Sequence, residues 1–459
     1  MLAPAVAEDR DIPMEENMAN SRRIAVGIAS ALAMAIGLAG CSGAGAAPSP
    51  KPSASDDPRS DAGATLTVES GLTATKGANF EAALAEFENE TGIKVTHVGV
   101  PNVQTDLTTR IQAGSPPDVA LFPQPGLVQD LASQGKVQPL DNVLDMAKLK
   151  SGLAPGLLQI GQAKGKTYAV PYDISVKSLI WYSPKAFKAA GYSVPTTWAQ
   201  FIDLTKKMAA SGTAPFCFGI ESGTGTGWPA TDWLEDLVLR TAGPNVYDQW
   251  VSHKTKFDSP QIQKALKEFS SLLLAKGQTY GGANTIVSTK WSNSIAPMFT
   301  STPGCYLYHQ GSFMATSMPA GVTVGTDVSA FYLPGGYPGG YTGKPVEGAG
   351  DMAVMLKKSS AAEKLMNFLA SPQGGEAWAK KGGFLSPWTS FDKKLYPDDL
   401  TRLEADMISK ATAFRFDASD AMPGAVGTGA FYQQLTAFIN GDQPASDTLK
   451  NIDAAWPAQ

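Results

Sequence analysis

Residues 65–100 read TLTVESGLTATKGANFEAALAEFENETGIKVTHVGV, and this stretch decides the fold. Thr65 to Glu69 alternates apolar and polar residues, which predicts a strand. Asn79 to Thr91 carries its apolar residues at helical spacing and stops at Gly92, and Ile93 to Val100 predicts a second strand. Strands separated by single helices are typical of a parallel α/β sheet, whose ligands bind beyond the carboxyl ends of the strands.

The next residues repeat the pattern. Val103 to Ala113 predicts a helix, and Pro117 to Phe122 predicts a short buried strand. The turns after the strands therefore become candidate binding segments, namely 70–72 and 123–126. Gln124 either reaches a ligand or only bonds the backbone of its prolyl loop, and the sequence leaves both interpretations open.

A longer segment, YAVPYDISVKSLIWY (Tyr168 to Tyr182), exceeds one simple strand and contains Pro171. We interpret it as a crossing from one domain to another. Asp173, Ser175 and Lys177 would lie at that crossing.

Gly219 to Arg240, GIESGTGTGWPATDWLEDLVLR, joins a Gly/Ser/Thr loop to a helix that Thr231 or Asp232 could cap. Trp228 and Asp232 would place an aromatic plate and a carboxylate together at the start of the helix. Sugars are bound by this combination, since a ring has an apolar face and hydroxyl groups. The alternative is that the tryptophans belong to the core and Asp232 is only an N-cap.

The chain has 459 residues, of which 43% are hydrophobic and 17% charged, which suffices for two domains. A net charge of −5 argues against a nucleic-acid partner, because nucleic acids attract basic surfaces. The three histidines, His97, His253 and His309, lie far apart without cysteine or carboxylate at ligand spacing. We therefore predict neither a metal site nor a cofactor.

Residues 1–41 end in a signal segment. Arg22 and Arg23 precede the apolar run Ile24 to Leu38, and the final LAGC at Cys41 resembles the lipobox of bacterial lipoproteins, in which the cysteine is acylated. An uncleaved transmembrane anchor is the alternative. We expect translation to start at Met18, because residues 1–17 are acidic. Residues 42–63 are rich in Ser, Ala, Pro and Gly and predict a flexible tether.

The chain resembles the solute-binding lipoproteins of ABC carbohydrate importers (extracellular solute-binding protein family 1), in particular the α-glucoside-binding branch. The resemblance runs from Cys41 to the C-terminus and rests on the lipobox and on five motifs in order: FPQPGLVQDLASQGKVQPLD (122–141), KSLIWYSPKAFKAAGYSVPTTW (177–198), GWPATDWLEDLVLRTAGP (227–244), GGFLSPW (382–388) and FRFDASDAMP (414–423).

The resemblance implies a type II periplasmic-binding fold, similar to maltose-binding proteins, with the sugar between two α/β lobes. Lobe 1 would comprise residues 64–174 and 334–360, and lobe 2 residues 175–333 and 361–459. The implied partners are an oligosaccharide and the permease subunits of the importer, with a lipid anchor as the only contact with the membrane. We expect a monomer on the outer face of the cell membrane.

Buried sugar hydroxyls need polar partners, since each one left unpaired costs about 1–3 kcal/mol. Aromatic side chains would cover the apolar ring faces. The candidate ligand-binding residues combine both kinds: Gln124, Asp173, Lys177, Trp228, Asp232, Asp351, Trp388 and Arg415. Arg415 could instead pair internally with Asp417 or Asp420. Trp291, Trp378 and Trp456 are assigned to packing.

A secreted glycosidase is the alternative function, because it would also need aromatic residues and carboxylates in a cleft. Asp232, Glu235 and Asp236 lie on one predicted helix, however, and not on opposite sides of a substrate. The sequence contains neither a G-x-S-x-G motif nor a phosphate-binding loop. We therefore predict a binding protein without enzymatic activity.

Once Cys41 is acylated, Cys217 and Cys305 are the two remaining thiols. Both lie in short apolar runs that predict strands, APFCFGI and GCYLYH, in an extracytoplasmic body where oxidation is favoured. We predict a disulfide between them. Two buried free cysteines are the alternative.

Overall fold

A computed structural model describes residues 57–154 and 156–457. The predicted signal segment, the predicted acylation site Cys41 and residues 42–56 of the predicted tether lie outside the described residues. No helix within those residues combines the length and the apolar character that crossing a bilayer requires.

The described residues form twelve strands in three sheets. The strands are β1 (Thr65–Ser70), β2 (Lys94–Gly99), β3 (Val119–Phe122), β4 (Gln162–Ala163), β5 (Lys166–Thr167), β6 (Ala169–Val176), β7 (Leu179–Tyr182), β8 (Ala214–Phe216), β9 (Cys305–His309), β10 (Ser329–Tyr332), β11 (Pro345–Met355) and β12 (Ala413–Phe416).

Seventeen α-helices occur in the same residues. They are α1 (Ala74–Thr91), α2 (Val103–Gln112), α3 (Pro125–Ser133), α4 (Met146–Gly152), α5 (Leu157–Ile160), α6 (Pro184–Ala190), α7 (Trp198–Ala210), α8 (Trp228–Thr241), α9 (Pro244–Val251), α10 (Pro260–Phe269), α11 (Ala283–Ile286), α12 (Ser360–Leu369), α13 (Glu376–Ala379), α14 (Asp399–Lys410), α15 (Ala418–Ala421), α16 (Tyr432–Asn440) and α17 (Ala445–Ala454).

The larger sheet has six strands. Five of them follow the order β12-β11-β3-β1-β2, and the sixth, β6, pairs with β11 along the edge opposite β3. β1 is parallel to both β2 and β3, as the sequence predicts. The sheet is nevertheless mixed, because β11 runs antiparallel to β3 and to β6. All eleven residues of β11 are buried, which fits a central strand.

The second sheet has the order β10-β7-β9-β8. Only Lys177 and Ser178 separate β6, in the first sheet, from β7, in the second. The segment thus passes from one sheet to the other, and the predicted crossing between two domains stays a prediction. The predicted division into lobes stays a prediction; β12, which that division gives to lobe 2, pairs with β11 in the larger sheet.

The N-cap of helix α8 lies four or five residues earlier than the sequence suggested. This N-cap is Gly227, and Asp232 lies more than one turn inside the helix. Gly227 has φ +118°, and a Cβ there would lie 2.6 Å from the carbonyl oxygen of Tyr432. Only glycine tolerates both conditions, so the glycine and not a polar cap fixes the start of the helix. The prediction of Thr231 or Asp232 as the cap was wrong.

The predicted disulfide is confirmed in the structure. Cys217 and Cys305 are bonded with their Cα atoms 5.3 Å apart, and they are separated by 88 positions in the sequence. Both are buried, and they join the parallel strands β8 and β9 at the base of the loop that leads into α8.

Candidate functional site

A cavity of about 1160 Å³ opens where the sheets meet. The turns after β1, β2 and β3 contribute 71–73, 101–105 and 123–124, in keeping with the rule that ligands bind beyond the carboxyl ends of parallel strands. The crossing segment and the loop before α8 supply further walls. Together these segments give the cavity both polar and aromatic groups.

Five of the eight candidate ligand-binding residues line this cavity: Gln124, Asp173, Lys177, Trp228 and Asp351. They come from four separate parts of the chain, namely the turn after β3, the β6 crossing, the start of α8 and the middle of β11. The fold thus brings distant candidates together in one place.

Asp232, Trp388 and Arg415 do not line it. Asp232 is buried behind Lys177, whose Nζ donates to its Oδ1 at 2.8 Å. Trp388 packs on the backbone of α4 and forms an isolated bridge with Leu153. Arg415 makes a two-pronged ion pair with Asp248, with N–O distances of 2.6 and 2.9 Å, and therefore pairs with neither Asp417 nor Asp420.

Three aromatic side chains form one side of the cavity, and we call them the aromatic patch: Trp228, Trp291 and Phe313. Their ring centroids lie 5.1 to 6.1 Å apart, in edge-to-face or tilted arrangements, and each ring is half-buried. The sequence assigned Trp291 to packing and gave no signal for Phe313. Half-buried rings at a cavity wall provide flat apolar surface for a ligand.

A group of charged side chains lies next to this patch. Lys76, which the sequence analysis missed, donates from Nζ to Asp173 Oδ2 at 3.4 Å and lies 5.9 Å from the ring centroid of Phe313. Burial raises the pKa of Asp173 to about 7, the charge of Lys76 opposes this rise, and Asp351 adds to it. Burial also raises the pKa of Asp351. These groups can donate to and accept from ligand hydroxyls.

Gln124 presents an acceptor without a donor. Its Oε1 is buried and has no hydrogen-bond partner among the described residues. A buried polar atom without a partner costs free energy, which a ligand hydroxyl at this wall would recover. This favours the ligand-binding interpretation of Gln124 over the loop-bonding one.

Two hydrogen bonds connect walls of the cavity that are far apart in sequence. Asn102, after β2, donates to Thr224 in the loop before α8. Gln104 donates from Nε2 to Thr428 Oγ1 at 3.2 Å. Thr224 and Thr428 had no sequence signal, because their role depends on which loops meet.

Stability should fall as the pH rises through the titration of Asp173. Its folded pKa of about 7 lies above the ordinary aspartate pKa of 3.8, so its stabilising contribution is complete below pH 3.8 and is lost as the pH rises to about 7. Each pKa unit corresponds to roughly 1.4 kcal/mol, so the loss is on the order of 2–4 kcal/mol. Chemical denaturation at several pH values measures it.

Asp173→Asn is the informative variant for this measurement. The amide oxygen can still accept from the N–H of Leu385, but the side chain no longer titrates. We expect a flatter dependence of the unfolding free energy on pH. An unchanged slope in this variant would show that other groups cause the dependence.

Comparison with known proteins identifies the class. Residues 71–376 match the family of bacterial extracellular solute-binding proteins. The chain belongs to this family.

Two relatives cover most of the chain. The osmoprotective compounds-binding protein GgtB of Synechocystis is 42% identical over 82% of this chain and 89% of its own length. The alpha-glucosides-binding periplasmic protein AglE of Rhizobium meliloti is 38% identical over 86% of this chain and 87% of its own length. Both are named as binding proteins and not as enzymes.

Solved structures show the same fold. The solute receptor AcbH, described as preferring β-D-galactopyranose, has a TM-score of 0.73 with 19% identity and covers 85% of this chain and 98% of its own. The GacH receptor of Streptomyces glaucescens, solved unliganded and with acarbose, has a TM-score of 0.63 with 17% identity over 85% of this chain and 97% of its own. The type II solute-binding fold predicted from the sequence is thus confirmed.

Proposed function

We propose that the chain is the extracytoplasmic binding lipoprotein of an ABC importer, and that it captures an α-glucoside or a related oligosaccharide in the described cavity. The aromatic patch beside Lys76, Asp173 and Asp351 carries this proposal. Flat apolar surface next to charged hydrogen-bonding groups suits a sugar ring, which has an apolar face and a rim of hydroxyls. The name of AglE, an alpha-glucosides-binding protein, supports the same ligand class.

The protein would deliver its ligand by closing two lobes around it. Closure requires contacts that exist only in the closed state, because a ligand that binds both states equally shifts no population. The hydrogen bonds from Asn102 to Thr224 and from Gln104 to Thr428 join residues of the two predicted lobes, so they would form only when the lobes are closed. The closed form would then dock on the permease subunits.

Thermal unfolding with a panel of saccharides tests the ligand class. At a ligand concentration of 100 times Kd the unfolding free energy rises by about 2.7 kcal/mol, so a true ligand raises Tm visibly. The panel contains α-linked di- and trisaccharides, their β-linked isomers and a free hexose. Stabilisation by the α-linked compounds at the lowest concentrations supports the proposal. A panel without any effect contradicts it.

The same incubations test for enzymatic activity. A glycosidase would release new reducing ends from the saccharides, whereas a binding protein leaves them intact. We expect no accumulation of reducing ends over many hours. Accumulation that Asp173→Asn abolished would overturn the assignment as a binding protein.

Acylation at Cys41 is a separate prediction. Mass spectrometry of protein extracted from native membranes should find a mature N-terminus at Cys41 that carries acyl chains, because two or more chains are needed for stable anchoring. Cys41→Ala should abolish acylation and release the protein. Recovery of peptides from 24–38 in the mature protein would instead support a transmembrane anchor.

A further inference from the structure

Four buried side chains meet where the chain crosses between the sheets, and we call them the junction cluster: Lys177, Asp232, Glu347 and Asp417. Their exposed fractions are 4%, 1%, 0% and 1%. They come from the crossing itself, from α8, from β11 and from the residue after β12. Oxygen atoms of the three carboxyl groups lie within 4.8 Å of one another. Lys177 alone reaches the wall of the cavity.

The hydrogen bonds of the cluster are unevenly distributed. Lys177 Nζ donates to Asp232 Oδ1 at 2.8 Å and also to Asp417 Oδ2. Asp417 Oδ1 accepts from the Ser419 hydroxyl at 2.7 Å and from the Asp420 N–H at 2.8 Å. Asp417 therefore has the surroundings of an ionised carboxylate.

Three carboxyl oxygens of the junction cluster receive no hydrogen bond from any donor among the described residues. They are Asp232 Oδ2 and both Oε atoms of Glu347, and all three are buried. Three ionised carboxylates would oppose a single ammonium group here, in a place that water does not reach. A buried charge without a partner is far more costly than a neutral group, so the carboxyl groups cannot all be ionised.

A single proton on the cluster reduces the excess negative charge and also supplies a hydrogen-bond donor for the unpaired oxygens. A protonated carboxyl group has one O–H donor and keeps an acceptor oxygen. Neither oxygen of Glu347 has a donor, so the proton is best placed on Glu347; an oxygen of Asp232 lies within 4.8 Å, and two carboxylates remain to balance Lys177. Carboxyl groups that share a site at close range commonly share a proton in this way.

Every element packed around Glu347 brings ionisable groups. α8 contributes Asp232, Glu235 and Asp236; α9 contributes Tyr247; β12 contributes Arg415, the register partner of Glu347; the residue after β12 is Asp417; and the crossing contributes Lys177.

Asp236 and Arg415, which also lie near the cluster, each have an ion-pair partner outside it. Asp236 pairs with Arg240 and with His309, and Arg415 pairs with Asp248. Glu235 accepts from the N–H groups of Ala418 and Ser419 and does not supply a donor to Glu347.

The electrostatics agree with this arrangement. Burial raises the pKa of Glu347 well above its usual range, and the negative charges of Glu235, Asp236 and Asp232 add to the rise. Burial also acts to raise the pKa of Asp417, but Lys177 and the hydrogen bonds to this carboxylate outweigh it and lower the pKa.

We propose that Glu347 is a neutral carboxylic acid at neutral pH, shares its proton with Asp232, and acts as a positioning residue that holds Lys177 at the ligand cavity. Loss of the proton places a further negative charge beside Lys177 and draws its ammonium group away from the cavity. Ligand affinity therefore falls as the pH rises. The affinity part of this inference rests on the proposed function, whereas the protonation of Glu347 does not.

The sign of the effect on stability follows from linkage. The folded protein binds the Glu347 proton more tightly than the unfolded chain does, so the stabilisation is complete below the unfolded pKa and is lost as the pH rises through the folded one. Glu347→Gln keeps a donor and an acceptor at this position without a titrating proton. It should therefore fold and be more stable than the parent at alkaline pH.

Infrared spectroscopy of the full chain in D₂O at pH 7 detects the proton directly. We expect a carbonyl band of protonated carboxyl groups that loses intensity in Glu347→Gln. Elemental analysis of protein dialysed against a chelator shows whether a cation occupies the cluster instead. A band unchanged by Glu347→Gln, or one bound cation per chain that this variant loses, would overturn the proposal.

The pH dependence of affinity provides the second readout. For the tightest saccharide of the panel, we expect the rise of Kd from pH 6 to pH 9 to be roughly fivefold larger in the parent than in Glu347→Gln, which keeps only the contribution of Asp173. Glu404→Gln is the matched control, because it removes another fully buried acid with a raised pKa that lies outside the junction cluster. This control should retain the pH dependence of the parent. The positioning role would be overturned if Glu404→Gln lost the pH dependence of Kd, or if Glu347→Gln kept the full pH dependence of the parent.

Asp232→Asn is the second variant, and it decides the case if Glu347→Gln does not fold. The amide supplies a donor to Glu347 and removes one negative charge, so we expect the same flattened pH dependence of Tm. An unchanged pH dependence would count against the shared proton. If no saccharide of the panel binds and the carboxyl band still weakens in Glu347→Gln, the proposed function is refuted. The protonation of Glu347 is then established independently.

Discussion

Loss of the disulfide should lower the free energy of unfolding by about 2–4 kcal/mol. Cys217 and Cys305 close a loop of 88 positions, for which the chain-entropy model gives roughly 4–5 kcal/mol, and relaxation of the native structure reduces the observed part. The double variant Cys217→Ala and Cys305→Ala, compared with the parent by chemical denaturation, measures the loss. Reduction of the parent should give a similar decrease.

Cys41→Ala is the matched control, because it removes a cysteine and leaves this bond intact. Since the bond joins β8 to β9 directly before the loop that carries Trp228, its loss should also weaken ligand binding, but less than removal of Trp228 does. Two alkylatable thiols at Cys217 and Cys305 in non-reduced protein would contradict the prediction.

Trp228→Ala should weaken binding of the best saccharide by at least about 2 kcal/mol, which is a factor of about 30 in Kd. The ring contacts Trp291 and Phe313, lies 5.6 Å from Lys177 Nζ and faces the cavity, so its removal takes away the centre of the aromatic patch. Calorimetric titration of parent and variant gives the ratio. Trp228→Phe should recover part of the loss, because it restores an apolar ring.

Trp456→Ala is the control for removal of a tryptophan. This side chain stacks on His253 with 3.9 Å between ring centroids, is half-buried and does not line the cavity. We expect its Kd to equal that of the parent. Unchanged binding in Trp228→Ala, with a cooperative melt, would show that the aromatic patch is structural and the proposed site misplaced.

Local patterns in the sequence were sufficient for much of the fold. The alternation of Thr65 to Glu69 and the helical spacing before Gly92 depend on near neighbours; β1 extends one residue beyond its prediction, and α1 ends at Thr91 as predicted but begins five residues earlier, at Ala74. The length of 168–182 indicated that this segment would not form one simple strand, and it is divided between β6 and β7. The antiparallel entry of β11 was not predictable, because it depends on a partner in a distant part of the chain.

The site was predictable only in part, since residue type does not fix burial. Asp232 and Lys177 were both candidates, but each satisfies the other and only Lys177 reaches the cavity. Arg415 is held by Asp248, which no sequence pattern connects with it. Trp291 had the chemistry of a ligand contact but lay in a segment without periodicity, so nothing distinguished it from a packing residue.

The central position of β11 has a consequence for how the chain reaches its native state. Strand β3 (Val119–Phe122) has neighbours on both sides only after Met352–Met355 of β11 have been synthesised, about 230 residues later. β12 joins later still. Such non-local pairing slows folding, because loop closure must precede the contacts that reward it. The larger sheet therefore cannot be completed before β11 (Pro345–Met355) and β12 (Ala413–Phe416) have been synthesised.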